Sequence, residues 1–342
     1  MSNSTKNDAG FTLVELMVAA TLLVLMVVGV SRLSMSSVTA QDYAARLNRV
    51  TELTQTVLDR MRVELLSSVR VFGAGTEGTN NLATLDLVGM PARLPGTRLA
   101  TISATAQLRP DTAGAEITGN SLFFARLAWT DHFVCTSGND YLVDVYRWVY
   151  YYTTPVDGGP TPGTSTGLNM IRVSSEPLAD AASVDRIANV TDRNELLLHL
   201  LDGTPDATGV SRDPCALVWR RAGDPLVAGT IRQISQSSGA MSATPIDGRT
   251  SPWRIRREAT KADLLVYRHH SVATNYSQAS FGVGRYGIVS NAGSGFPHGF
   301  EVQTVGTSSA RQTMLHLVVV NNQRASRRAW SNQQVVVDSR DL

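Results

Sequence analysis

The chain has 342 residues, of which 43% are hydrophobic, and a formal net charge of +2. This composition is typical of a folded protein and excludes an intrinsically disordered or repeat-built chain. The small net charge provides no general attraction to nucleic acid or to an anionic membrane surface.

The first predicted element is an apolar run from Phe11 to Val30, in which Glu15 is the only ionisable side chain. About twenty residues at a rise of ~1.5 Å each match the ~30 Å hydrocarbon core of a bilayer, so the run predicts a membrane-spanning helix. A charge at membrane depth costs ~2.5 kcal/mol or more unless it has a partner or lies near the interface. Glu15 therefore has two interpretations, a functional carboxylate or one tolerated beside the positive end of the helix dipole.

A conventional secretory signal peptide is the competing interpretation of this run, with the small residues Val38-Thr39-Ala40 as its cleavage site. The run is longer than the usual ~7 to 15 apolar residues, and it contains a carboxylate. It also ends well before the small residues, so we favour the membrane helix.

The pattern of the next forty residues predicts that the helix continues to about Val71. Apolar or large residues recur at spacings of three and four between Tyr43 and Val69, and no proline occurs before Pro91. This spacing is typical of an amphipathic helix whose apolar stripe is covered by a sheet. We therefore divide the helix into a membrane part, 11–30, and an amphipathic part, 31–72.

Residues 73–342 are predicted to form a β-rich head. Gly73–Asn81 has the turn chemistry of a linker. Nine runs rich in β-branched and aromatic residues then predict strands: Ala83–Val88, Ser121–Trp129, Val143–Thr154, Asn169–Ser174, Ala216–Arg221, Asp263–His269, His298–Val305, Met314–Val320 and Gln333–Asp338.

The remaining segments of the head are a helix candidate and two loops. Asp192–Leu201 is compatible with a short helix capped by Thr191 or with a buried strand. Pro155–Gly167 and Ser235–Pro252 are loops by composition, and the second could subdivide the head. The predicted fold class is α+β, a long N-terminal helix packed on a large head with an antiparallel sheet.

The N-terminal string Gly10-Phe11-Thr12-Leu13-Val14-Glu15 resembles the class III signal of type IV prepilins and pseudopilins. The resemblance implies that residues 1–10 are a leader removed by a membrane-embedded prepilin peptidase, which cuts between Gly10 and Phe11. It implies N-methylphenylalanine at Phe11 and makes Glu15 the glutamate of the assembly signal. The long two-part helix also resembles pilins, so the resemblance covers about residues 1–70.

The size of the head and the strand-rich C-terminus are most similar to the PilW group of minor pilins. That similarity implies a structural subunit that helps to initiate a type IV pilus, in a priming or tip complex with other minor pilins. The implied partners also include the major pilin, the inner-membrane assembly platform and a PilY-type tip adhesin. The implied location is the inner membrane with a periplasmic head, and then the pilus.

Two alternatives remain open at this point. The chain could be a minor pseudopilin of a type II secretion system, of the GspJ kind. It could also be a pilin-like subunit whose head binds DNA or another ligand, although we do not expect nucleic acid as a partner.

Cys135 and Cys215 are the only cysteines of the chain. If the head is exported, a disulfide between them is the expected state. Two buried thiols, or a metal site that includes His132, are the alternatives.

Four further groups of residues have a binding interpretation beside a structural one, and we favour the structural one in each. They are Trp148 with Tyr150–Tyr152 as a stacking surface, the pair His269–His270 as metal ligands, Asp185, Asp192 and Glu195 as Ca²⁺ ligands, and Arg324, Arg327, Arg328 and Trp330 as a nucleic-acid contact. No nucleophile elbow, metalloprotease helix or Walker motif occurs. We expect no enzyme activity, no cofactor and no metal.

Overall fold

The structure is a computed structural model. It describes residues 12–85, 87, 90–94, 96–109, 117–155, 168–218, 231–233, 261–264, 270–273, 299–321 and 329–341. The chain divides into two units, residues 1–49 and residues 50–342.

Four helices and twelve strands are described. The helices are α1 (Leu13–Leu66), α2 (Thr76–Thr84), α3 (Ala181–Asp185) and α4 (Val190–Asp202). The strands are β1 (Ser68–Phe72), β2 (Leu122–Val134), β3 (Asp140–Pro155), β4 (Leu168–Ser174), β5 (Leu178–Asp180), β6 (Ala216–Val218), β7 (Ile231–Gln233), β8 (Lys261–Leu264), β9 (His270–Val272), β10 (Phe300–Thr307), β11 (Ala310–Asn321) and β12 (Trp330–Ser339).

The described part of the first unit is the N-terminal portion of α1. Every residue from Thr12 to Val38 is exposed, including large apolar side chains such as Leu13 and Leu33. The helix is long and apolar enough to cross a membrane. An exposed surface of this length made of Leu, Val and Met is stable in a bilayer or against other apolar helices, rather than in water.

The second unit is built on one large sheet in the order β1-β2-β3-β4-β9-β11-β10, with β12 paired to β11. Its longest ladders are antiparallel: β2 pairs with β3 from Leu122↔Tyr151 to Val134↔Asp140, and β11 pairs with β12 over ten residue pairs. The short pair β5–β6 is parallel. The observed class is therefore the predicted one, a long apolar helix followed by a mainly antiparallel sheet.

The C-terminal part of α1 buries one stripe against this sheet, as its spacing predicts. The buried residues of the stripe are Val50, Thr54, Val57, Leu58, Met61, Glu64 and Leu65. Tyr151 of β3 hydrogen bonds to Glu64 of this stripe. Because side chains alternate along a strand, the neighbours Tyr150 and Tyr152 point to the other face of the sheet.

That other face carries an aromatic core. Trp148, Tyr150 and Tyr152 pack there with Phe72 and Phe123. The rings of Phe72 and Phe123 are stacked with centroids 4.8 Å apart, and those of Tyr150 and Tyr152 with centroids 5.0 Å apart. All three tyrosines of the run are completely buried, so the run fills the core on both faces.

Two predictions near the end of α1 are wrong. The helix ends at Leu66 rather than near Val71, because the hydroxyl of Ser67 bonds to the carbonyl of Glu64 and the β-branched residues that follow form β1. The predicted linker at Gly73–Asn81 contains most of helix α2. A Cβ on Gly78 would lie 2.0 Å from the carbonyl oxygen of Gly73, so this helix requires glycine there.

Most of the strand predictions are confirmed. Strands occur at eight of the nine predicted positions with shifted ends, whereas Ala83–Val88 begins in α2. The predicted stretches 219–221 and 265–269 lie outside the described residues. The structure adds the short strands β5, β7 and β9, which periodicity did not indicate. The predicted loops Pro155–Gly167 and Ser235–Pro252 lie outside the described residues except for Pro155, which ends β3. Strands from both sides of 235–252 belong to one sheet.

Asp192–Leu201 is a helix and not a strand, since it forms most of α4. The predicted cap, Thr191, lies inside the helix. The cap is Asn189, whose side chain accepts hydrogen bonds from the backbone N–H groups of Thr191 and Asp192. Gly203 ends the helix in the left-handed conformation, with φ of 67°.

Candidate assembly site

Glu15 is tied to the first turn of α1 by a capping box with Thr12. The backbone N–H of Thr12 donates to Oε2 of Glu15 at 3.0 Å, and the Thr12 hydroxyl donates to the same oxygen at 2.9 Å. The backbone N–H of Glu15 is 3.3 Å from Oγ1 of Thr12. The threonine before the helix and the glutamate three positions later thus satisfy each other's polar groups.

The sequence analysis did not predict this capping box. Its signal is nevertheless present, since Glu15 follows Thr12 by three positions. The box occupies one carboxylate oxygen of Glu15. Its second oxygen, Oε1, makes no hydrogen bond to the described residues. A carboxylate has about four acceptor positions, so the box leaves Glu15 able to accept a cation or a further donor.

Gly10 and Phe11, where cleavage and methylation are predicted, lie outside the described residues. What the structure shows is that the helix begins at Leu13, two residues after Phe11. Glu15 is fully exposed and lies on the first turn of the apolar segment. The amino terminus that cleavage would create is therefore close in sequence to the only carboxylate of that segment.

In the second unit, α1 is joined to the sheet by a buried polar cluster centred on Glu64. Arg172 donates to Glu64 through Nε and Nη2 at 2.7 to 3.1 Å, and the Tyr151 hydroxyl donates to Oε2. Nη1 of Arg126 lies 3.6 Å from Oε1. Glu64 and Arg172 are both more than 90% buried, so this ion pair is held in a largely water-free environment.

Two groups in this cluster, Tyr151 and Arg172, have a raised pKa. Burial, together with the negative charge of Glu64, raises the pKa of Tyr151, so its hydroxyl remains a donor. Burial lowers the pKa of Arg172, but hydrogen bonds and the charge of Glu64 outweigh burial and leave the pKa above its ordinary value. The arrangement is therefore a charged pair with a neutral phenol.

Comparison with family models gives one match over the N-terminal segment. Residues 5–31 match the prokaryotic N-terminal methylation motif. The chain carries the signal of a type IV pilin-like prepilin. The matched residues include the predicted leader end, the Thr12–Glu15 box and the apolar part of the helix. No curated protein and no solved structure matches the chain.

The apolar N-terminal helix and the methylation motif are consistent with anchoring in a membrane and with association with a pilus. The same motif indicates processing by a peptidase and partners in filament assembly in general terms. It is a signal of structural subunits rather than of enzymes. The head therefore has to be interpreted from its own residues.

The two cysteines of the head are free thiols in the structure, where we expect a disulfide. Both are buried, and both belong to one hydrophobic cluster that includes Val143, Leu196 and Leu200. Sγ of Cys135 lies 3.8 Å from the carbonyl oxygen of Asp192, and burial with nearby acidic side chains raises the pKa of the Cys135 thiol to about 12. The disulfide therefore stays a prediction.

The acidic residues considered for Ca²⁺ have structural partners. Asp192 accepts hydrogen bonds from Nδ2 of Asn139 at 2.7 Å and from the Tyr141 hydroxyl at 3.1 Å. Glu195 accepts from the backbone N–H and the hydroxyl of Thr136. These contacts tie the β2–β3 turn to α4. Among the described residues, no cluster of His, Cys, Asp or Glu has the form of a metal site.

The other predicted groups are described only in part. His270 is buried within hydrogen-bond distance of Asn321, and His269 lies outside the described residues. Trp330 begins β12, whereas Arg324, Arg327 and Arg328 lie outside the described residues. The structure therefore tests neither the nucleic-acid interpretation of this group nor the solvated loop that we favour.

Proposed function

We propose that this chain is a minor pilin that helps to initiate a type IV pilus, as a member of a priming or tip complex with other minor pilins. The observation that carries the proposal is the N-terminal methylation motif over residues 5–31, followed by a helix with a single carboxylate in its apolar part. The size of the head supports a minor rather than a major subunit, because residues 73–342 form a larger head than those of major pilins. The similarity to the PilW group supports the priming role.

Processing is the first step of the proposed mechanism. A prepilin peptidase cuts between Gly10 and Phe11 and methylates the new amino group. The cut places a cationic amine directly before Thr12, while the leader with Lys6 and Asp8 is removed. The apolar helix stays in the membrane until assembly.

Assembly then depends on Glu15. The capping box holds one carboxylate oxygen toward the start of the helix and leaves Oε1 available. A methylated amine of a neighbouring subunit can bind this oxygen, and the pairing offsets the cost of burying both charges among apolar helices. The register of subunit addition follows from this pair, and the exposed apolar surface from Leu13 to Val38 packs on neighbouring helices.

A minor pseudopilin of a type II secretion system is the second candidate. The same motif favours it equally, because the signal is shared by pilins and pseudopilins. The two functions differ in the phenotype of a deletion strain, and not in the chemistry of the N-terminal segment.

The mechanism is tested with Glu15→Ala and with variants of the capping residue. We expect Glu15→Ala to be cleaved and methylated as the wild type is, which mass spectrometry of the N-terminal peptide measures. We expect it to be lost from sheared filaments, which an immunoblot of the pilus fraction measures. Normal incorporation of Glu15→Ala would contradict the pairing.

Thr12→Ser and Thr12→Val form the matched pair. Serine keeps the hydroxyl that donates to Glu15, and valine removes it while keeping a similar shape. We expect Thr12→Ser to assemble normally and Thr12→Val to be incorporated less. Equal incorporation of the two variants would show that the box does not position Glu15.

A further inference from the structure

Strand β12 lies at an edge of the sheet, since β11 is the only described strand that pairs with it. The two strands pair over ten consecutive residue pairs, from Arg311↔Ser339 to Val320↔Trp330, without a register shift. Long, regular edges are templates for pairing with another chain, and folded proteins usually protect them with bulges, proline or lysine. β12 contains neither proline nor lysine, and its outer edge therefore lacks these protective features.

Hydrogen bonds show which backbone groups of β12 point away from β11. The N–H of Asn321 donates to the carbonyl of Ala329 at 2.8 Å, and these residues are opposite each other when the register of the two strands is continued. Bonded and non-bonded pairs alternate along an antiparallel ladder, so the odd-numbered residues of β12 bond to β11. The N–H and carbonyl groups of the even-numbered residues 332–338 point outward and have no hydrogen bond to the described residues. These residues are Asn332, Gln334, Val336 and Asp338.

The edge at β10 shows how the chain covers such groups elsewhere. Val302 exchanges both backbone hydrogen bonds with Gly119, each at 2.8 Å. The N–H of Ser103 donates to the carbonyl of Thr304, and the N–H of Gly306 donates to the carbonyl of Ser103. The outward groups of β10 are thus paired by the segments around residues 103 and 119, so this edge is closed to another strand.

The edge at β1 is protected in a different way. Its pairing with β2 has a register shift between Ser68 and Arg70, which interrupts the regular edge. The carboxylate of Asp341 accepts a hydrogen bond from the backbone N–H of Val71 at 3.0 Å. Of the three edges, only that of β12 is therefore open within the described chain.

The exposed side chains along β12 indicate the kind of strand that fits this edge. Val336 is 48% exposed, and Asn332 and Gln334 are exposed and uncharged. Asp338 and Arg340, at the end of the strand, are exposed and carry opposite charges. Apolar pairs and oppositely charged pairs stabilise neighbouring strands when they lie directly opposite each other. The complementary strand therefore has an acidic residue opposite Arg340, a basic residue opposite Asp338 and an apolar residue opposite Val336.

We propose that the outer edge of β12 binds an antiparallel β-strand of another polypeptide that carries this charge pattern. The backbone of the bound strand hydrogen bonds to the outward groups of β12, and its side chains pair with the exposed row. A second copy of β12 does not match the pattern, because with Val336 opposite Val336 of the copy, Arg340 faces Asn332 and Asp338 faces Gln334. The inference rests on the second unit alone and is independent of the proposed role in pilus assembly.

The test adds a synthetic peptide with blocked ends to the full-length chain in detergent micelles. Alternate residues of the peptide are Glu, Lys, Val, Thr and Thr, in the order that places them opposite Arg340, Asp338, Val336, Gln334 and Asn332. Fluorescence anisotropy of the labelled peptide measures its affinity, and hydrogen exchange with mass spectrometry locates the site. We expect binding that slows exchange within β12, and several-fold weaker binding of a peptide with Glu and Lys exchanged, since like charges then face each other.

Three results overturn the proposal: no binding of the matched peptide, protection only outside β12, or equal affinity of the two peptides. A chain that is dimeric alone and becomes monomeric when the peptide is added would identify a second copy as the occupant. That result would overturn the assignment to another polypeptide.

Two adjacent glutamines of β12 provide a matched pair of variants. The N–H of Gln333 points to β11 and that of Gln334 points outward, and proline removes either N–H. We expect Gln334→Pro to melt close to the wild type but to bind the peptide about tenfold or more weakly, because a hydrogen bond is lost and the ring blocks the edge. Gln333→Pro should lower the melting temperature clearly, since it interrupts the ladder with β11.

Gln334→Thr is the control, because it keeps the outward N–H and should bind the peptide as the wild type does. Equal melting temperatures of the two proline variants would show that the outward groups are assigned wrongly. Binding of the peptide to Gln334→Pro with wild-type affinity would overturn the edge as the site.

Discussion

Arg172 of β4 and Glu64 of α1 form a buried ion pair across 108 positions of sequence, with N–O distances between 2.7 and 3.1 Å. The pair links the head sheet to the end of the N-terminal helix. A buried pair of this kind need not be more stable than a well-packed apolar pair, but removal of one partner leaves a charge without compensation. Its main effect is to fix where the helix lies on the sheet.

Arg172→Met is therefore expected to lower the free energy of unfolding by ~3 to 5 kcal/mol. The measurement is urea unfolding of the full chain in detergent, followed by tryptophan fluorescence. The double variant Arg172→Met with Glu64→Leu is the control and should regain most of the loss. A single variant within about 1 kcal/mol of wild type would contradict the role of the pair.

Asp341 holds the C-terminal end of the chain to β1. Its carboxylate accepts from the backbone N–H of Val71 and from Arg311, and its own N–H donates to the carbonyl of Ser308. Asp341→Asn should lower the free energy of unfolding by ~1.5 to 3 kcal/mol, the usual value of a charged hydrogen bond. Asp338→Asn, at an exposed position on β12, should change it by less than ~0.5 kcal/mol. Equal effects of the two variants would refute the contact.

The cysteine pair gives a prediction about the exported protein. We propose that Cys135 and Cys215, which share one buried cluster, form a disulfide in the periplasm. The chain-entropy model assigns such a bond ~4 kcal/mol for a loop of this length. Mass spectrometry of peptides from chain isolated without reductant should show the linked pair. Two peptides with free thiols would exclude the bond, and a preparation with reductant serves as control.

In the reduced chain, the Cys135 thiol makes stability depend on alkaline pH. Burial raises its pKa from an ordinary value of 9.0 to about 12, so the unfolded state loses this proton first as the pH rises. The contribution to stability is complete below pH 9 and decreases between pH 9 and 12. Cys135→Ala should flatten this part of the curve of unfolding free energy against pH. An unchanged slope in that variant would contradict the assignment.

Local sequence patterns predicted much of the fold. The spacing of apolar residues from Val50 to Leu65 predicted the buried stripe of α1, and β-branched runs such as Met314–Val320 marked strands. These signals depend on neighbours in sequence and on burial of one face. The Gly10–Glu15 string likewise predicted a pilin-like signal, and the family motif over residues 5–31 supports that interpretation.

Contacts between distant residues could not be predicted in this way. Nothing in the surroundings of Glu64 identifies Arg172 as its partner, and nothing near Asp341 indicates Val71. The cap of α4 was also predicted wrongly, because two nearby residues can both cap a helix. Thr191 is a suitable cap residue, but Asn189, two positions earlier, caps α4. Helix α2 was missed because glycines suggested a turn, whereas Gly78 is needed for close approach to Gly73.

A deletion strain tests most directly whether this chain initiates pili. The strain is scored for surface pili and, in the same culture, for export of a secreted enzyme, with the wild-type chain restored on a plasmid as control. We expect pili to be lost and secretion to be intact. Loss of secretion with pili intact would contradict the claim and assign the chain to a secretion pseudopilus.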